Sequence, residues 1–178
     1  MTSAPMGNWN SLREERLGVL LHYDDSASDA GAVEWLLQDP RCRVSYNWLV
    51  LDSGQLVTVA PEDARAWHAG VCRPSIPALT YHDANSAFYG IAWAGRAGEE
   101  VTPAALTAIV ALIRRLFQKH HWPTTETWRI TGHGAEAWPR GRKIDPTGPN
   151  PHRPVLSVPL VQCLVSGWAD VVAGASTP

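Results

Sequence analysis

The chain has 178 residues, the size of one ordinary domain, and its 45% hydrophobic against 18% charged content separates it from compositions that stay unfolded. Fifteen Lys and Arg against 17 Asp and Glu leave a formal charge of -2, with no basic run that would track phosphates, so nucleic acid is not an expected partner. Three cysteines, Cys42, Cys72 and Cys163, are too few and too scattered for a disulfide framework or a four-cysteine zinc site.

In chain order, residues 1–16 contain no continuous apolar stretch of the kind a secretory signal requires. Synthesis in the cytoplasm without a signal peptide is therefore the expectation. Leu17 to Tyr23 is a short apolar run that fits a buried strand, with His22 near its C-terminal end. Asp29 to Gln38 carries apolar residues at helical spacing, with Ser28 or Asp29 as N-cap and Pro40 as a stop. Val44 to Leu51 and Gln55 to Val59 flank the turn Asp52-Ser53-Gly54 and predict a hairpin, with Tyr46 inside its first strand.

Residues 60–87 turn to Pro, His, Asp and Ser, which predicts a long irregular and therefore functional loop. Tyr89 to Ala94 returns to strand character. Thr102-Pro103 supplies an N-cap and a first-turn proline for an amphipathic helix through Leu106, Ile109, Val110, Ile113, Leu116 and Phe117, ending at the cationic Lys119, His120 and His121. Trp128 to Thr131 predicts one more strand, followed closely by His133. Residues 132–154 hold four glycines and five prolines and predict no regular element, and Val155 to Val172 predicts a terminal helix. That last stretch is broken by Gly167 and Asp170, so it does not predict a membrane span. Strands alternating with helices predict an α/β fold, a mixed sheet flanked by helices, with ligands beyond the strand ends.

The chain lacks an HExxH helix, a GxSxG elbow, a GxxxxGK[ST] loop and a GxGxxG turn, so the chemistries those motifs serve lose their support. What remains is a set of histidines and an aspartate near strand ends and in loops. Such a set suits catalytic zinc, which takes three protein ligands and leaves a position for water whose pKa it lowers to about 7. His22 and His133 could project into a shared cleft, although either alone also fits a hydrogen-bonded structural histidine. The adjacent His120 and His121 diverge by about 100° on a helix and are expected to cap it rather than chelate. His82 and His152 are isolated loop residues with no expected chemical role. Trp67 and Trp138 fall in loop segments, where aromatic side chains can line a groove.

The ordered pieces of the chain carry a resemblance. They are Leu20-Leu21-His22, Val44-Ser45-Tyr46-Asn47-Trp48-Leu49-Val50, the turn and strand from Asp52 to Val59, Trp67-His68-Ala69-Gly70, Asn85 to Gly95, Thr131-Gly132-His133, and Arg142-Lys143-Ile144-Asp145-Pro146. In this order and spacing the sequence resembles the zinc-dependent N-acetylmuramoyl-L-alanine amidases of the amidase-2 type, the family of phage lysozyme-type amidases and peptidoglycan recognition proteins. The resemblance implies that His22, His133 and Asp145 hold one zinc ion per chain. It implies that Tyr46 and Lys143 are the catalytic pair, donating to the oxyanion formed at an amide carbonyl. Trp67, His68 and Asn85 fall where the family borders its substrate, with His68 open between substrate contact and local structure. Two departures stand out: Asn47 where many relatives have His, and Ala92 where many have Glu. The missing Glu favours the tyrosine and lysine version of the chemistry over that of the cytosolic recycling enzymes.

The resemblance thus implies a hydrolase that cuts the amide between N-acetylmuramic acid and L-alanine. It would take peptidoglycan or muropeptide as its partner and act on the cell wall after release, or on cytosolic muropeptides. The alternatives are a non-catalytic muropeptide-binding module of the same fold, and a hydrolase of another amide. The expected organisation is an N-terminal extension over 1–16, a catalytic domain over 17–154, and a C-terminal helix and tail over 155–178 packed on the same domain. A monomer is expected.

Overall fold

A computed structural model describes residues 8–146 and 156–167. Its elements in chain order are β1 (Trp9–Ser11), β2 (Gly18–Tyr23), α1 (Asp29–Leu37), β3 (Trp48–Val50), β4 (Leu56–Thr58), β5 (Ala64–Ala66) and α2 (Ala84–Ala87). There follow β6 (Phe88–Trp93), α3 (Pro103–Lys119), a 3₁₀ turn (Thr127–Arg129), β7 (Ile130–Gly132), α4 (His133–Glu136) and α5 (Val158–Ser166). Five strands form one mixed sheet in the order β4-β3-β6-β2-β7; β4 runs antiparallel to β3, and the other neighbours are parallel. β1 and β5 pair antiparallel as a separate ribbon.

β2 lies between β6 and β7 and is buried on both faces, which is why its sequence is a continuous apolar run rather than an alternation. Alternate residues still divide between the faces. Val19 and Leu21, with Trp48, Val50, Tyr89, Ile91 and Trp93, pack against α3 and α5 through Ile109, Ile113, Leu116, Val161 and Val165. Leu20 and Phe88 pack on the other side against Leu79 and Tyr81, while Leu49 and Ala92 meet Ala32 and Leu36 of α1. The sheet is therefore covered on both faces, and the expected α/β architecture holds. α3 begins as its sequence dictates: the Thr102 hydroxyl accepts from the Ala105 amide at 3.1 Å, and Pro103 occupies the first turn, where its missing N–H costs nothing.

Four details differ from the sequence expectations. Tyr46 lies before β3 rather than inside it, because the Ser45 amide leaves the sheet to donate to the Trp67 carbonyl. The segment 60–87 contains β5 and α2; β5 exists through its pairing with β1, a strand contributed by the N-terminal 16 residues. His133 opens a single helical turn, α4, inside the stretch expected to be irregular. The last strand spans Ile130–Gly132 rather than Trp128–Thr131, since the chain first makes a 3₁₀ turn. Within the predicted terminal helix, α5 covers Val158–Ser166; His152 and residues 168–178 lie outside the described residues. No helix among the described residues is long and apolar enough to cross a membrane.

Candidate functional site

His22 is the penultimate residue of β2, on the same face as Leu20, turned away from α3. β7 pairs beside it in register, Leu21 with Gly132, so His133 emerges next to His22 as its strand ends. Asp145 comes from the following loop, and glycine lets that loop come close. A Cβ on Gly132 would lie 2.7 Å from Pro146, and one on Gly134 would lie 3.0 Å from the Lys143 carbonyl oxygen. The Gly134 amide then donates to the Asp145 carbonyl at 2.6 Å, fixing the loop against α4.

The result is a convergence of three buried side chains. Asp145 Oδ2 lies 2.9 Å from His22 Nδ1 and 3.1 Å from His133 Nδ1. One ligand-capable atom from each of the three falls within 4.8 Å of the others. His133 Nε2 lies 2.8 Å from the Ala69 carbonyl oxygen, while its Nδ1 faces Asp145. Two imidazole nitrogens and a carboxylate oxygen, all electron-rich and all out of water, make a donor set that a cation satisfies; its N and O composition fits zinc.

Burial sets the protonation states here. It lowers His22 to about 4, against the opposing hydrogen bond to Asp145. It would raise Asp145, but the hydrogen bonds from His133 and His22 outweigh it and hold the carboxyl below its usual range. Burial first and the neighbouring His22 second push His68 well down. The neutral His22 imidazole and the ionised Asp145 carboxylate that result are the forms a metal requires.

Around this centre lies a groove of about 400 Å³ lined by Asp24, Asp25, Val44, Tyr46, Arg142, Lys143 and Ile144 as well as the three convergent residues. Tyr46 is buried with its ring centroid 5.1 Å from that of His22, and burial raises its phenol, so the hydroxyl stays protonated. Lys143 is exposed at the groove wall. A second hollow, sharing Val44, His68, His133, Arg142 and Lys143, continues the groove past Trp67, Gly70 and Asn85. All eight residues singled out by the sequence therefore line one connected cleft. Ala92 pairs in register with His22 and is fully buried, so a methyl group stands on the strand beside the centre.

Several contributors carry no signal in the sequence. Glu136 is fully buried and accepts from the Tyr81 hydroxyl at 2.7 Å, the Thr131 hydroxyl at 2.9 Å, the Ser75 amide at 3.1 Å and the Ser75 hydroxyl. It ties the 71–81 loop to α4 beneath the groove. Arg142 donates to the carbonyls of Ala69 at 3.2 Å and Val71 at 2.8 Å, spanning one wall. Buried Arg16 donates to the Ser86 carbonyl at 2.9 Å, and also to those of Phe88 and Ala64, while lying over the Tyr89 ring at 4.3 Å. The groups these residues join are far apart in sequence. Of the remaining histidines, His120 is the C-cap of α3, as expected, and stacks on Trp122 at 4.5 Å, and His82 is exposed. Exposed Trp138 has the guanidinium of Arg73 at 4.3 Å over its ring, beside rather than within the groove lining.

A mixed sheet with two histidines and an aspartate gathered at its strand ends, in an open groove, defines a hydrolase scaffold with a metal-competent centre. The N-acetylmuramoyl-L-alanine amidase family model matches residues 14–148, and the chain belongs to that family. Solved structures agree in fold. A selenomethionine derivative of AmpD is similar at 22% identity and TM-score 0.69, covering 91% of this chain and 92% of that one. AmiD from E. coli, solved with the substrate anhydro-N-acetylmuramic acid-L-Ala-D-γ-Glu-L-Lys, is similar at 20% identity and TM-score 0.58, over 75% of this chain and 54% of that one. The endolysin amidase LysCS from Clostridium intestinale gives 21% identity and TM-score 0.53, over 74% and 79%. No curated protein sequence matches the chain closely enough to count as a relative. The family and the cleft together make the chain a peptidoglycan hydrolase.

Proposed function

We propose that the protein cleaves the amide between N-acetylmuramic acid and L-alanine with one zinc ion held by His22, His133 and Asp145. The observation that carries this is the convergence of His22 Nδ1 and His133 Nδ1 on Asp145 Oδ2 at the base of the groove. When bound, zinc supplies Lewis acidity toward an amide carbonyl and acidifies water to a pKa of about 7. The rest falls to side chains of the chain. Tyr46 keeps its proton because it is buried, so its hydroxyl is a donor for the oxygen that gains charge as the carbonyl carbon becomes tetrahedral. Lys143, which lines the same groove, adds a positive charge to the same oxygen. Trp67 and Asn85 border the hollow that continues from the centre, the region suited to the rest of the substrate. Both nitrogens of His68 face hydrogen-bond partners inside the protein, which argues against it as the proton donor to the leaving amine. The anhydro-muropeptide held by the similar AmiD supports the same substrate class here.

Metal analysis and product analysis test this together. Protein purified without chelator should carry one zinc per chain, and digestion of peptidoglycan should release a free L-alanine amine by mass spectrometry. Asp145→Ala should lower zinc occupancy and abolish release. A zinc content near zero with chelator-resistant activity would sink the metal assignment. Full zinc loading and muropeptide binding without a new amine would replace the enzyme with a recognition module.

A further inference from the structure

Tyr46 lines the groove, but the residues on either side of it do not: Ser45 and Asn47 are fully buried, and both side chains are spent on neighbouring backbone. Ser45 bonds with Trp67 in both directions. Its amide donates to the Trp67 carbonyl at 3.1 Å, and the Trp67 amide donates to the Ser45 hydroxyl oxygen at 2.9 Å. Asn47 repeats the pattern with Gly90 of β6, its amide donating to the Gly90 carbonyl at 2.9 Å while the Gly90 amide donates to Asn47 Oδ1 at 3.0 Å. In both pairs a side-chain oxygen accepts the return bond that a backbone carbonyl accepts in a sheet ladder. The remaining donors reach a third segment: the Ser45 hydroxyl donates to the Asn8 carbonyl, and Asn47 Nδ2 donates to the carbonyls of Pro61 at 2.9 Å and Ala64 at 3.3 Å. The Tyr46 carbonyl itself accepts from the Ala60 amide at 2.9 Å.

We propose that Ser45 and Asn47 are positioning residues for Tyr46, two side-chain pairs that fix the one residue between them and so aim its ring at the centre. The inference rests on the reading of Tyr46 as the hydrogen-bond donor of the reaction. With Ser45 tied to the end of β5 and Asn47 tied to β6, the backbone at Tyr46 shifts only by breaking one of these pairs. Each broken pair would leave a buried amide without an acceptor, a state that folded chains avoid. Among the described residues the Tyr46 hydroxyl has no hydrogen-bond partner of its own, so the direction of the ring comes from its backbone and its packing. Such a donor works only from the right place, since a misplacement of about 1 Å can cost on the order of 10²-fold in rate. Neither Ser45 nor Asn47 lines the groove, so neither touches substrate; they act through the residue they flank.

The test combines steady-state turnover of a soluble muropeptide with the nuclear Overhauser contacts between the Tyr46 and His22 rings, whose centroids lie 5.1 Å apart, in the full chain. Ser45→Ala and Asn47→Ala should each lower kcat about 10-fold and weaken those ring contacts, with KM and zinc content within about twofold of the parent. Tyr46→Phe completes a double-mutant cycle. In that background no hydroxyl is left to aim, so the same two substitutions should lower kcat by less than about twofold further. With Tyr46→Phe itself slow, an equal further fall in both backgrounds marks a general structural defect and overturns the proposal. Parent kcat in both alanine variants, or ring contacts at parent strength in both, overturns it as well. If Tyr46→Phe alone turns over at the parent rate while the alanine variants lose the ring contacts, the positioning stands and the donor reading of Tyr46 falls instead. Should neither alanine variant fold, Ser45→Cys, which changes a single atom to a weaker acceptor, enters the same cycle. It should weaken the ring contacts and lower kcat in the parent background alone, and an equal fall in both backgrounds overturns the proposal there too.

Discussion

The two faces of the sheet are differently built. Against α3, the buried side chains are mostly aliphatic, among them Val19, Leu21, Val50, Ile91, Ile109, Ile113 and Leu116. On the opposite face lie buried His22, His68, Asn47, Ser45 and Asn85. Each of these polar groups has directed partners: Asn47, for example, donates to the Pro61 carbonyl at 2.9 Å and accepts from the Gly90 amide at 3.0 Å. Apolar burial is non-directional and adds up with area, whereas a buried polar network holds only while every member is paired. One face therefore supplies most of the stability, and the other supplies fixed directions for chemistry.

That contrast makes its sharpest prediction on the apolar face. Ile113 is fully buried in the middle of α3, and alanine is a good helix former, so Ile113→Ala removes packing without disturbing the helix itself. Urea unfolding should show a loss of about 2–5 kcal/mol. Turnover per folded molecule and zinc content should stay at parent values, because the substitution lies across the sheet from the cleft. A change in turnover of the folded fraction beyond twofold would mean that the faces are coupled.

The next largest effect should come from the polar face and go the other way. Tyr46→Phe removes one hydroxyl from a ring that keeps its packing, so stability and zinc content should persist while turnover falls on the order of 10²-fold. Lys143→Ala should do likewise, with binding of muropeptide largely kept, since these donors strengthen mainly in the transition state. Parent rates in both variants would return the two residues to structural roles.

The same contrast explains what could be read from the sequence. The apolar face announces itself in the run before His22 and in the helical spacing of Ile109, Val110, Ile113, Leu116 and Phe117, because burial selects residue type at local periodicity. The convergent His22, His133 and Asp145 were legible as well, each standing at a strand end or in a loop within a recognisable motif. The partners on the polar face were not. Glu136 meets Ser75 and Tyr81, and Arg16 meets carbonyls of residues 64 to 88, so each contact spans tens of residues and leaves no periodic trace. β5 was hidden for the same reason, since Ala64–Ala66 is strand only because Trp9–Ser11 lies beside it.

The smallest expected effect lies at the rim of the polar face, where an ion pair is only partly shielded from water. Arg65 donates to Asp83 through Nε and, at 3.1 Å, through Nη2, and Asp83 also caps α2 by accepting from the Asn85 amide at 3.2 Å. Burial would raise the Asp83 carboxyl, but the hydrogen bonds from Arg65 and Ser86 prevail and lower it from 3.8. A carboxyl whose folded pKa lies below its unfolded value binds fewer protons in the native state, so its stabilising contribution is present above about pH 4. That contribution fades as pH falls through the depressed folded value. The Asp83→Asn variant keeps an oxygen for the cap but loses the charge, so it should be less stable than the parent at pH 7 by about 1 kcal/mol or less. The gap should close on acidification below pH 4, and 1 M salt should narrow it at pH 7. Thermal melts of both proteins at pH 7 and pH 3 decide the matter. A gap that widens in acid would reverse the sign and show that Asp83 is held protonated rather than ionised in the folded chain.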